Sequence, residues 1–131
     1  MTLTEIRNAI ISRMTAQTAI AKKDVTYQND KPFDAAGKSV WARLTIKHGL
    51  SSAQEIGSGP IVHRTGVAFI QIFVPLGTGT LLITQTADKL RELFENQTDG
   101  RLDYFSVSAD EIGDEGHGWY QFNLSIPFRA I

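Results

Sequence analysis

Three histidines, an acidic run and a glycine-rich turn are the residues of this chain whose types could do chemistry. His48, His63 and His117 could ligate a metal or move a proton. They are scattered in loops or at strand ends, and none forms the His-Glu-x-x-His pair that sets two imidazoles on one helical face. The sequence therefore reads them as exposed loop histidines rather than ligands. Asp110, Glu111, Asp114 and Glu115 offer carboxylates to a hard cation, yet they lack the alternating ligands and closing Glu of a calcium loop. With three glycines among them, Asp110 to Gly118 reads as a flexible, solvated loop. Serine and threonine are plentiful, but no Gly-x-Ser-x-Gly elbow provides a nucleophile.

The stretch from Gly66 to Thr80 has the outline of a nucleotide cradle: an apolar strand, Pro75, then Gly77 and Gly79 leading into a helix. A P-loop needs a Lys followed by Ser or Thr, and no Lys lies between Gly66 and Ala87. A dinucleotide fingerprint needs a third small residue, and Leu82 stands there. The glycines are then explained by shape, because Pro75 cannot continue a sheet ladder and glycine accepts positive φ cheaply. A small anion at the helix N-terminus is the one ligand chemistry this segment leaves open. No cofactor and no metal is expected, and no active site is read that would make the chain an enzyme.

Composition narrows the class. A length of 131 residues suits a single domain, and 42% hydrophobic with 21% charged residues is ordinary for a globular chain. The net charge of −1 supplies no long-range field for nucleic acid or an anionic membrane, so neither is an expected partner. With no cysteine, disulfides and thiolate metal sites are excluded. No apolar run approaches the ~20 residues of a membrane span, and the first residues lack a signal-peptide layout. A soluble protein of the compartment where it is made is the expectation.

The elements that would position these residues follow from periodicity. Thr2-Leu3-Thr4-Glu5 is a capping box, and Ile6, Ile10 and Met14 continue a helix to about Ala19. Val25 to Asn29 is a short extended candidate, and Asp30 to Gly37 is loop. In Val40 to Lys47, Val40, Ala42, Leu44 and Ile46 alternate with Trp41, Arg43, Thr45 and Lys47, which predicts a strand with Trp41 on its wetter face. His48 to Thr65 reads as a long hairpin or excursion. Val67 to Val74, apolar on both faces except Gln71, predicts a central strand. Ile83, Ala87, Leu90 and Phe94 mark a second helix from about Thr80 to Asn96. Leu102 to Val107 and Trp119 to Phe128 are further strands. The fold class is α+β, a single-domain, mostly antiparallel sheet with two main helices on one face.

Trp41, Trp119 and Tyr120 fit either a ligand-stacking platform or core and subunit-interface anchors, the commoner use of large aromatics at strand edges. An interaction protein needs a rigid scaffold and an exposed patch. Trp41, Arg43, His63 and Arg64 are the candidate interface residues, unless Trp41 is covered by the chain's own long loop.

The ordered motifs also resemble a family. Tyr27-x-Asn29, Phe33, Trp41-x-Arg43-Leu, Ile56-Gly57, Arg64-x-Gly66, Phe73-x-Pro75-x-Gly77-x-Gly79, Ala87-Asp88-x-Leu90 and Trp119-Tyr120-Gln-x-Asn123-x-x-Ile126-Pro-Phe128 resemble the tail terminator proteins of long-tailed phages and prophages, the lambda-type minor tail family. The resemblance runs from about Tyr27 to Phe128. It implies a structural virion protein, a small α+β subunit that closes into a homo-oligomeric ring, a hexamer, caps the tail tube and presents a surface to the head connector. The partners it implies are other copies of the chain, the tail tube protein and the head connector protein. The location it implies is the virion tail, with assembly in the host cytoplasm. A different neck component on a similar scaffold, or a small-ligand-binding domain, are the alternatives.

Overall fold

Thr2 and Glu5 begin the first helix by satisfying each other's backbone. The Glu5 N–H donates to the Thr2 hydroxyl at 3.1 Å, and the Thr2 N–H donates to the Glu5 carboxylate at 2.9 Å. Those bonds hold the exposed Glu5 carboxyl below its ordinary pKa. The computed structural model describes residues 1–53 and 61–131, and α1 spans Leu3–Thr15. It stops short of the expected Ala19 because Gln17 turns its side chain onto the backbone. Its amide donates to the Ile20 carbonyl at 2.6 Å and accepts the Ile20 N–H at 2.8 Å, which replaces the bonds a further helical turn would make.

A 3-10 turn, Lys22–Asp24, leads into β1 (Val25–Tyr27), which pairs parallel with β2 (Trp41–Ala53). β2 runs antiparallel to β3 (Val62–Pro75), and β3 to the last strand, β7 (Trp119–Ala130). Between them come α2 (Leu81–Phe94), β4 (Thr98–Asp99), β5 (Leu102–Tyr104) and β6 (Ser108–Asp114). The strand order is β1-β2-β3-β7-β5-β4, with β6 also paired to β7. The expected central strand is therefore β3, which runs six residues beyond its apolar stretch, five before Val67 and one after Val74. The tip of that hairpin, including Ile56-Gly57, lies outside the described residues.

Alternation along β2, β3 and β7 assigns the two faces. Ala42, Leu44, Ala68, Ile70, Ile72, Leu124 and Ile126 form one core with Ile6, Ile10 and Met14 of α1 and Ile83, Leu90 and Phe94 of α2. Both helices thus share one face, and the fold is α+β as expected.

Two expectations are corrected. Asp110 to Gly118 is not a loop throughout, since β6 pairs with β7 from Ser108 opposite Ser125 to Asp114 opposite Tyr120. Its carboxylates are exposed while its backbone is bonded, and its glycines serve geometry: Gly113 (φ 78) sits at the irregularity in the ladder, and Gly116 (φ 87) and Gly118 (φ 86) form the reversal. The strand expected over Leu102 to Val107 ends at Tyr104. There the Phe105 N–H still donates to Pro127 O, and the Val107 N–H leaves the ladder for the Glu95 carboxylate at 2.8 Å.

Candidate assembly surface

Opposite the helices, the sheet presents Arg43, Thr45 and Lys47 of β2, Val67, Phe69 and Gln71 of β3, and Asn123, Ser125 and Pro127 of β7. Gln71 is the polar exception in the central strand. It stands beside Arg43 on one side and Asn123 on the other, with Asp110 beyond, so four strands contribute one polar row across an otherwise half-apolar surface. The Arg43 guanidinium reaches the Gln71 carbonyl at 3.5 Å, and the Gln121 amide donates to Asn123 at 2.8 Å. This row was missed as a unit; the lone Gln71 and the alternating Gln121 and Asn123 were its only signal in the sequence.

One end of this surface is closed by aromatics. Trp41 stacks on Phe73 with ring centres 4.1 Å apart, meets Phe33 at 5.0 Å and takes Trp119 edge-on at 5.9 Å. Trp41 does lie on the same face of β2 as Arg43, but at 6% exposure it is covered there, buried within the subunit. Among the described residues, the loop residue that covers it is Phe33, from the segment between β1 and β2. Trp41 is thus a core anchor, and its Nε1 has no hydrogen-bond partner among the described residues. Arg43 remains partly exposed, its guanidinium 5.6 Å from the Trp41 ring.

His63 and Arg64 lie at the far end of β3. Ten residues separate His63 from Phe73, the partner of Trp41, roughly 33 Å at ~3.3 Å per residue. The four candidates do not form one patch. His63 and Arg64 are adjacent in the strand and so face opposite ways. The Arg64 side chain is spent internally, donating to Met1 O at 3.1 Å and to the Ser51 hydroxyl at 2.8 Å. The other histidines are elsewhere again: His48 late in β2, and His117 in the β6–β7 turn with its ring 5.9 Å from Phe73.

Apolar side chains are exposed at both ends of the long strands. Leu50 (90%), Ile61 and Val62 project from the β2–β3 hairpin, and Leu76, Leu81 (69%) and Leu82 from the turn between β3 and α2. Neither group was singled out from the sequence, because only the fold reveals that α2 buries Ile83 and Leu90 while leaving Leu81 and Leu82 outside. Gly77 (φ 83) and Gly79 (φ 77) shape that second turn, and the Thr78 hydroxyl donates to Pro75 O at 2.8 Å. Along the side of the sheet, a groove of about 640 Å³ runs between α1 and β2, lined by Leu3, Arg7, Ile11, Tyr27, Ile46 and His48 among others. Burial, with a smaller contribution from Asp30, raises the Tyr27 pKa and keeps the phenol neutral.

A family model described as phage tail terminator protein matches residues 5–128. Nineteen chains of solved structures match, and one of them superposes with a TM-score of 0.71 at 22% identity, over 100% of this chain and 96% of its own. No curated protein matches the sequence.

Proposed function

Since the chain belongs to the phage tail terminator family, we propose that it caps the tail tube as a hexameric ring, ends tail polymerisation and offers the surface to which the head is joined. The observation carrying this reading is the family match across nearly the whole chain. A protein of that family is a structural component of the tail.

The geometry supports it in a specific way. A tube cap must meet two different partners along one axis, and this subunit exposes apolar side chains at two opposite ends. Leu50, Ile61 and Val62 stand at one end of β3, and Leu76, Leu81 and Leu82 at the other. Exposed apolar groups gathered at the ends of a rigid sheet suit protein contacts, since burying each large side chain is worth ~1.5–3 kcal/mol. With strands running along the ring axis, these ends become the two axial surfaces, one for the tube and one for the head connector. Arg43 on the helix-free face and His63 near the hairpin add polar contacts to the assembled ring. The turn after Pro75 is then a docking element rather than an anion site.

The test is complementation of a phage from which the gene has been deleted. Deletion should give overlong tails and no infectious particles in electron micrographs and plaque counts. Leu81→Glu combined with Leu76→Glu should reproduce the loss with the fold intact by circular dichroism. Tails of normal length that join heads without the gene would overturn the reading.

A further inference from the structure

Asp99 is the one aspartate of this chain that is followed by glycine, and no asparagine is. That dipeptide has a chemistry of its own. The Gly100 nitrogen can attack the side-chain carboxyl carbon of Asp99, because glycine sets no Cβ beside the attacking atom. A C–N bond forms, one carboxyl oxygen leaves as water with the Gly100 amide proton and the acid proton, and a five-membered imide results. Water then re-enters at the main-chain carbonyl of Asp99 and breaks its bond to nitrogen. The chain now runs through Cβ and Cγ of that residue, with no atom gained or lost overall and one more carbon in the backbone.

The fold places this dipeptide at a hairpin. Asp99 ends β4, Gly100 and Arg101 form the turn, and Leu102 begins β5, with Gly100 at φ 64. A carboxylate at such a turn is ordinarily free to swing onto the next nitrogen. This one is held. Arg13 of α1 donates through Nε and Nη2 to its two oxygens, and the Tyr104 hydroxyl adds a third bond, each at 2.8 Å. Arg13 is in turn fixed by its bond to Leu93 O at 2.7 Å, at the end of α2. The backbone is fixed as well, since Asp99 pairs with Leu102 and the Ile131 N–H donates to Arg101 O at 3.1 Å. To reach the Gly100 nitrogen, the carboxylate must give up all three side-chain bonds. Hydrogen bonds from Arg13, and then from Tyr104, also hold the carboxyl below its ordinary pKa, which withholds the proton that the departing oxygen requires.

We propose that the Asp99–Gly100 bond is a latent site of spontaneous isomerisation to an isoaspartyl linkage, kept unreactive in the folded subunit by the clamp of Arg13 and Tyr104. The unfolded chain has no clamp and reacts. The lengthened backbone then carries the carboxylate away from Arg13, which unties α1 from the hairpin.

The test is isoaspartyl content after incubation at physiological temperature, read by methyltransferase labelling and by fragmentation mass spectrometry of the peptide spanning Asp99–Gly100. The parent should accumulate the isomer in urea and stay near the blank, Asp99→Ala, in native buffer. In native buffer Arg13→Ala should accumulate it about tenfold faster than the parent, because the charge-assisted hydrogen bonds it removes are strong enough to shift an equilibrium by that factor. Tyr104→Phe should give a smaller rise. Trp41→Ala loosens the opposite end of β7 through Trp119 and, while folded by circular dichroism, should stay near the parent. Equal rates for the parent and Arg13→Ala overturn the proposal. A rise in folded Trp41→Ala as large as that in Arg13→Ala also overturns it, since protection would then come from global folding alone. Should Arg13→Ala not fold, Tyr104→Phe decides, and no rise at Asp99–Gly100 overturns the clamp.

Discussion

Arg13 and Asp99, 86 positions apart, form a two-pronged ion pair, Nε to Oδ2 and Nη2 to Oδ1, both at 2.8 Å. The same guanidinium donates to Leu93 O at 2.7 Å, and the Tyr104 hydroxyl donates to Asp99 Oδ2 at 2.8 Å. The last turn of α1 is thereby tied to the end of α2 and to the β4–β5 hairpin. The hydrogen bonds from Arg13 hold the Asp99 carboxyl below its ordinary pKa, while burial, reinforced by Asp99, pushes the Tyr104 phenol far upward.

A pH dependence follows from Asp99. Its pKa is lower folded than unfolded, so its stabilisation is fully present above the ordinary value of 3.8 and is lost as pH falls below that through the folded-state value. Asp99→Ala should cost ~2–3 kcal/mol at neutral pH, since hydrogen bonds to charged groups contribute about that. Urea melts at pH 7 and pH 3 should differ less for the variant than for the parent. The Arg91–Asp88 pair, 3.6 Å apart and largely exposed, is the control, and Arg91→Ala should cost under ~0.5 kcal/mol.

Trp41 should behave as core. Trp41→Ala removes an indole packed among Phe33, Phe73 and Trp119 and should destabilise folding by ~3–5 kcal/mol. Trp41→Phe should cost much less, because it also removes the partnerless buried Nε1–H, whose burial carries a penalty of ~1–3 kcal/mol. Equal losses from both substitutions in thermal melts would refute this account.

Gly66 is fixed by space rather than by dihedral angle. A Cβ there would lie 2.5 Å from both Lys47 O and Phe128 Cζ, and one of these neighbours is backbone. Gly66→Ala should therefore cost ~2–3 kcal/mol or more through overpacking. Gly77→Ala meets no atom within 4 Å and should cost only the ~1 kcal/mol of its positive φ. Chemical denaturation of the two variants side by side checks the order.

Amide exchange should divide the acidic segment that composition assigns to a single loop. Ser108 to Glu111 should show protection that alternates between residues, as expected of a strand bonded on one edge, and Glu115 to Gly118 should exchange fast. Uniform fast exchange from Ser108 to Gly118 in the free subunit would mean that β6 is not formed.

Sequence alone determined the features that depend on neighbours along the chain. The Thr2–Glu5 capping box, the Ile83, Ala87, Leu90 and Phe94 stripe, and the alternation of β7 are each set by local hydrogen bonding or by a helix or strand period, so they were legible. The tertiary structure decided what depends on pairing between distant segments. Trp41 and Arg43 alternate identically in the sequence, yet Phe33, Phe73 and Trp119 bury one and leave the other at the surface. The carboxylates of β6 look like loop because their composition offers nothing to bury, while its backbone is held by β7, a partner that no side-chain pattern within β6 announces. That β2 has no strand at its outer edge beyond Leu44, among the described residues, is also a tertiary fact. It exists because β1 stops at Tyr27 while α1 and β2 run on, and the mismatch in length appears only when the three are set side by side.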